Sequence, residues 1–212
     1  MRTAAAVLIA ATISCSTLAA ARADLRPDRQ SISQSAVADA VAIGTSGGAD
    51  AHHESFHAPY LLRHGGPVLQ SIEIVTEFRR VVLLAEERVR GGAAGWDARS
   101  AHEALRPYRG RFDLVLQLAF SPQNSYRSLP AMAVVIYRRD GGRGSELRPL
   151  HLEAVPGNHA GRVPLAGTPI LGATVEAAFP SSALDFNESH LVGVFVDGRE
   201  VERVPLDLSR LR

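Results

Sequence analysis

Two hydrophobic periods divide this chain. Between residues 76 and 90, Phe78, Val81, Val82, Ala85 and Val89 recur at helical spacing, with Glu77, Arg80, Glu87, Arg88 and Arg90 on the other faces. Thr76 suits the N-cap, because its hydroxyl can accept an orphan first-turn amide, and Gly91-Gly92 makes a stop. A second short helix is predicted after the glycine-rich loop. Ser100-Ala101-His102-Glu103 has the capping-box pattern, Asp97 offers a cap one turn earlier, and Pro107 ends the helix. At Phe112 the period becomes two. Phe112, Leu114, Leu116, Leu118 and Phe120 fall on one face of a strand, with Asp113, Gln117 and Ala119 on the other.

Further strands are predicted at residues 131–137, around 147–155, at 171–179, and as a hairpin of 191–196 with 199–208. Asp197-Gly198 is the two-residue turn of that hairpin, since both positions tolerate the positive φ a tight turn requires. Pro205 lacks a ladder donor, so it makes the last strand an edge or places its own nitrogen outward. Six to seven short strands preceded by two short helices predict a mainly β fold, an antiparallel immunoglobulin-like β-sandwich. That label rests on architecture, because no Cys–Trp–Cys spacing is present.

The segment before the helices has neither period. Arg2, an apolar run over residues 4–11 and the small-residue end Ala21-Arg22-Ala23 have the layout of a secretory signal peptide cut after Ala23. Residues 24–66 then read as a flexible leader, with Gly44-Thr45-Ser46-Gly47-Gly48 at its centre and a two-turn helical patch at 36–43 too short to stand alone. The organisation expected is therefore a signal at 1–23, a leader at 24–66, a helical hairpin packed on the sandwich at 67–110, and the sandwich at 111–212.

Export changes the reading of composition. The only cysteine, Cys15, lies inside the signal, so residues 24–212 carry no thiol for disulfides, nucleophilic catalysis or cysteine-based zinc binding. A cut at Cys15 is the alternative, and acylation there would anchor the protein to a membrane. Losing Arg2 and Arg22 takes the net charge from +1 to −1. A near-neutral chain lacks the clustered basic face that nucleic acid needs, so nucleic acid is excluded as a partner. Every basic residue is arginine; with abundant Ala, Gly, Pro and Val this fits a GC-rich bacterial genome and a periplasmic or secreted location.

One motif has catalytic form. His53-Glu54-Ser55-Phe56-His57 matches H-E-x-x-H, in which two histidines one helical turn apart bind zinc and the glutamate activates water. His64 is the available third ligand and His52 lies adjacent. Pro59 and the preceding Gly47-Gly48 oppose the stable helix such a site requires. Ser181, Ser182, Asp185 and His190 have the residue types of a triad but lack the G-x-S-x-G elbow. His102 and His151 read as surface residues.

The reading that results is a non-enzymatic exported bacterial protein without a cofactor, binding an envelope or extracellular protein or a surface component. Its contacts are expected at Gln123, Asn124 and Tyr126, in the loop after the strongest strand, and at Trp96. The alternative is a secreted zinc hydrolase using His53, Glu54 and His57.

Overall fold

The computed structural model describes residues 32–46, 50–92, 95–121, 126–138, 146–157 and 168–211. The period-two run forms strand β3 (Arg111–Ala119), which pairs antiparallel with β7 (Gly172–Pro180) from Arg111↔Pro180 to Ala119↔Gly172. On its other side lies β2 (Leu69–Val75), followed by the three-residue β1 (Leu61–Arg63), while β6 (His151–Gly157) closes the far edge beyond β7. The second sheet runs β5 (Glu146–Leu147), β4 (Met132–Tyr137), β8 (Ser189–Val196), β9 (Arg199–Asp207), and is also antiparallel. Leu114, Leu116, Val175 and Phe179 from the first sheet share one buried cluster with Val134, Ile136, Val194 and Leu206 from the second.

Helices make this a mixed α and β fold. The described residues contain four α-helices where two were expected, and nine strands where six to seven were. Part of the excess comes from the segment read as a leader. Ser33 caps α1 (Gln34–Thr45), and Val37, Ala40 and Val41 are buried with Phe78, Val81 and Val82 of α3 (Glu77–Arg90). A helix that is marginal alone is thus held by the apolar face of its neighbour. Residues 50–57, where Pro59 was expected to oppose a helix, form α2 (Asp50–His57). Pro59 sits in the 3₁₀ turn that follows, where its fixed φ is compatible with the backbone.

Strand β2 escaped the period-two reading because its register shifts between Leu69 and Ser71, a bulge that interrupts the alternation of Leu69, Ile72 and Ile74. The single strand expected around 147–155 is two. Leu147 pairs with Ile136 in one sheet and His151 with Ala178 in the other, so the chain changes sheets across Arg148-Pro149-Leu150. The predicted hairpin is present, with Asp197 at φ 49° and Gly198 at φ 76°. Pro205 lies on β9, an edge strand.

The caps follow local chemistry. Asp97, not Ser100, caps α4 (Ala98–Ala104), its Oδ1 accepting the Ser100 amide at 2.8 Å. That amide and the Ser100 hydroxyl hold the Asp97 carboxyl below the usual carboxylate range. The cap therefore stabilises α4 above the carboxyl's unfolded pKa and is lost as pH falls through the lowered folded one. Thr76 Oγ1 accepts the Arg79 amide at 3.2 Å at the head of α3. Thr76→Ala is expected to cost about 1 kcal/mol, read as a lower urea midpoint with an unchanged slope; an unshifted midpoint would remove the cap from the account of α3.

Candidate functional site

Helices α3 and α4 connect β2 to β3, and α1 packs against α3. A groove of about 910 Å³ lies between α1, α3 and the sheets. Its helical wall comes from Ile32, Ser33, Ala36 and Asp39 at the start of α1 and from Thr76, Glu77 and Phe78 at the start of α3. The opposite wall comes from Arg111 and Phe112, from Arg138 just after β4, and from residues 181–187 after β7. Phe78, Phe112 and Leu184 are almost wholly buried beneath it, and Phe112 stacks on Phe179 with centroids 5.7 Å apart.

Glu77 ties this end together. One carboxylate oxygen accepts the Gly110 amide at 2.6 Å and the other accepts the Ile32 amide at 3.1 Å. Its charge also lies in the first turn of α3, where the helix dipole favours an anion. Residues 181–187 are pinned on the facing side. The Ser181 amide donates to the Gly110 carbonyl at 2.9 Å, and Asp185 Oδ1 accepts the Asn187 amide at the same distance.

Next to the groove is a buried charge cluster. The Asp113 side chain is 1% exposed, although the alternation of β3 sends it away from the sheet core, because the side chains of Arg80 and Arg111 close over it. Arg80 from α3 bonds to Oδ2, and Arg111 Nε lies 3.3 Å from Oδ1. The Tyr108 ring packs against both guanidinium groups, 4.1 Å from Arg80 and 4.9 Å from Arg111. Two arginines thus share one carboxylate, leaving this cluster with one excess positive charge beside the groove.

The site expected from sequence falls elsewhere. Gln123 and Asn124 lie outside the described residues. Tyr126 is half-buried, pairs with Ile170 in an isolated bridge and packs on Phe120 with centroids 5.0 Å apart. It therefore sits near the C-terminal end of β3, opposite the groove. Trp96 packs against the helical cluster, with Arg88 5.2 Å above its ring. Both aromatic residues are half-buried, with one side of each ring packed on the protein. The groove itself gives no period or spacing in the sequence, because its walls are assembled from five separate stretches of chain.

The H-E-x-x-H segment occupies α2, on the helix the motif requires, and the His53 side chain lies outside the described residues. His57 Nε2 is 2.8 Å from Glu86 Oε1, and His64 Nε2 is 3.3 Å from Glu202 Oε2 on β9, so the two histidines engage different carboxylates. Glu54 is exposed and lines a second cavity, of about 530 Å³, with His57, Glu73 and Arg79. Burial lowers the Arg79 pKa, while Glu73, 2.6 Å away, pulls it back up. Among the described residues no three His, Cys, Asp or Glu side chains gather as a metal would need.

The triad-like residues do not form a relay either. His190 is 1% exposed and its Nε2 bonds the Asp185 backbone carbonyl at 2.8 Å, whereas the Asp185 carboxylate caps Asn187. Ser181 Oγ is buried with no hydrogen-bond partner among the described residues. His151 is well exposed, as expected, and His102 is half-buried against Arg109. Ala23 and Cys15 lie outside the described residues, and none of the described helices is long and apolar enough to cross a membrane. Comparison with protein-family models, curated proteins and solved structures finds no match to this chain.

Proposed function

We propose that this chain is an exported bacterial binding module of immunoglobulin-like architecture, non-enzymatic and acting in the periplasm or outside the cell. The strand order supports the architecture. β2-β3-β7-β6 opposite β5-β4-β8-β9 follows the A-B-E-D and C′-C-F-G arrangement, with the A–B connection enlarged into α3 and α4. Export rests on the layout of residues 1–23, and acylation at Cys15 is the route by which the module would reach a membrane. The partner is an envelope or extracellular protein or a surface component, without nucleic acid.

The observation that carries the binding role is the groove. Its volume of about 910 Å³ falls within the range of pre-formed ligand sites, and it combines an apolar floor with a few convergent polar groups. NMR titration of the exported protein with a mixed fragment set is expected to give saturable shifts clustered at Ile32, Phe78, Phe112 and residues 181–187. Shifts scattered over the surface, or confined to the Tyr126 end, would overturn this reading. So would stoichiometric zinc that survives gel filtration and is lost in His57→Ala, because that outcome supports the zinc hydrolase instead.

A further inference from the structure

The groove's polar groups differ in what they still have to offer an occupant. Its carboxylates are largely engaged. Both Glu77 oxygens accept backbone amides, and Asp185 Oδ1 accepts two groups of Asn187. Asp39 stands exposed on α1. Donors are less fully used. Arg111 shares Asp113 with Arg80, exposed Arg138 has no ion pair or hydrogen bond with any described residue, and the buried Ser181 hydroxyl has no partner among them. Beneath these donors the floor is Phe78, Phe112 and Leu184, with Phe186 packed edge-on against Phe112 at 5.6 Å.

Resting on the groove reading above, we infer that the ligand is a small amphipathic monocarboxylate: an apolar chain or ring lying on the phenylalanines, with its single carboxylate directed to Arg138 and Arg111. Charge complementarity selects this class. A neutral amphiphile would cover Arg138 without offering it an acceptor and would leave the excess positive charge of Arg80 and Arg111 over Asp113 unanswered, and desolvated charge without a partner opposes binding. A dianion or phosphate is disfavoured by Asp39 and Asp185 on the same walls, since like charges in a partly desolvated site repel. A cation meets two arginines. One negative charge on an apolar body satisfies the donors without burdening the acids.

The test is calorimetric and NMR titration of the full exported protein with sodium decanoate below its micelle concentration, alongside decanol and decanedioate. Decanoate is expected to bind one-to-one, with decanol and decanedioate each weaker by about tenfold, the scale of one charge-assisted contact. Arg138→Gln, on an exposed side chain, should raise the decanoate Kd by about tenfold while leaving decanol unchanged. Phe186→Ala should weaken decanoate and decanol alike. Equal binding of decanoate and decanol, or an unchanged Kd in Arg138→Gln, would overturn the ligand class. If decanoate is inert while neutral or cationic fragments shift the groove residues, the class falls and the groove reading stands. If no probe shifts them, both fall. Concentration-dependent shifts of the same residues without additive would identify a second copy as occupant and overturn the inference.

Discussion

Arg80→Ala is expected to destabilise the protein by about 3 kcal/mol, a fall in midpoint temperature of roughly 6–12 °C for a domain of this size. The effect follows from what the substitution leaves behind. Asp113 is 1% exposed, and Arg80 is its closest partner. Without that guanidinium, a buried carboxylate keeps only Arg111, 3.3 Å from the other oxygen. Tyr108 also loses the cation nearest its ring. The value stands at the low end for a broken buried pair because Arg111 remains.

A double-mutant cycle separates the charge from the packing. Asp113→Asn keeps the shape and removes the charge, and Arg80 is 18% exposed, enough to keep contact with water. Asp113→Asn alone should therefore cost less, about 1–2 kcal/mol, and in its background Arg80→Ala should cost about half as much as in the native protein. Urea denaturation of the four proteins checks this. Additive losses would mean that Arg80 acts through its aliphatic stem and the Tyr108 contact, and that Asp113 is neutralised by Arg111 alone.

The same cluster marks where the sequence was legible and where it was not. Alternation over Phe112, Leu114, Leu116 and Leu118 located β3 and its buried face, because a period of two needs only a flat sheet on one side. It put Asp113 on the opposite face and no more, since periodicity carries no information about the Arg80, Arg111 and Tyr108 side chains that gather there. The hairpin at Asp197-Gly198 was legible because turn chemistry is local, and α3 because its moment and cap are local too. The helix α1 and strand β1 were not. Ala36, Val37, Ala40 and Val41 make too small a face to predict a stable helix, and three residues make too short a strand. The helix exists through contacts with α3, distant in sequence, and the strand through pairing with β2 across the short connection at residues 64–68. The groove is the extreme case. Ile32, Glu77, Arg111, Arg138 and Ser181 approach only through the fold, whereas the H-E-x-x-H letters lie together in the sequence, and His57 and His64 bond to different carboxylates, Glu86 and Glu202.

Gly44→Leu is expected to have the other large effect, about 3 kcal/mol of lost stability, and to reach the groove as well. Gly44 lies near the end of α1, where a Cβ would come within 2.5 Å of both the Val82 carbonyl oxygen and the Ala85 Cβ on α3. One of those obstacles is backbone and cannot rotate away, so α1 must move off α3 and expose Val37, Ala40 and Val41. The alanine variant makes the sign diagnostic. Helix propensity alone favours alanine over glycine by nearly 1 kcal/mol, so net destabilisation of about 1–2 kcal/mol in Gly44→Ala can come only from the crowded crossing. Ala85→Gly should rescue Gly44→Ala in part, because the Val82 carbonyl remains in place. Hydrogen exchange should show the α1 amides opening before those of β3, and since Ile32, Ser33, Ala36 and Asp39 belong to the groove wall, decanoate affinity should fall in step with α1 protection. A Gly44→Ala protein as stable as the native one, with α1 equally protected, would mean that the crossing has room to spare. The groove would then not depend on this glycine for its helical wall.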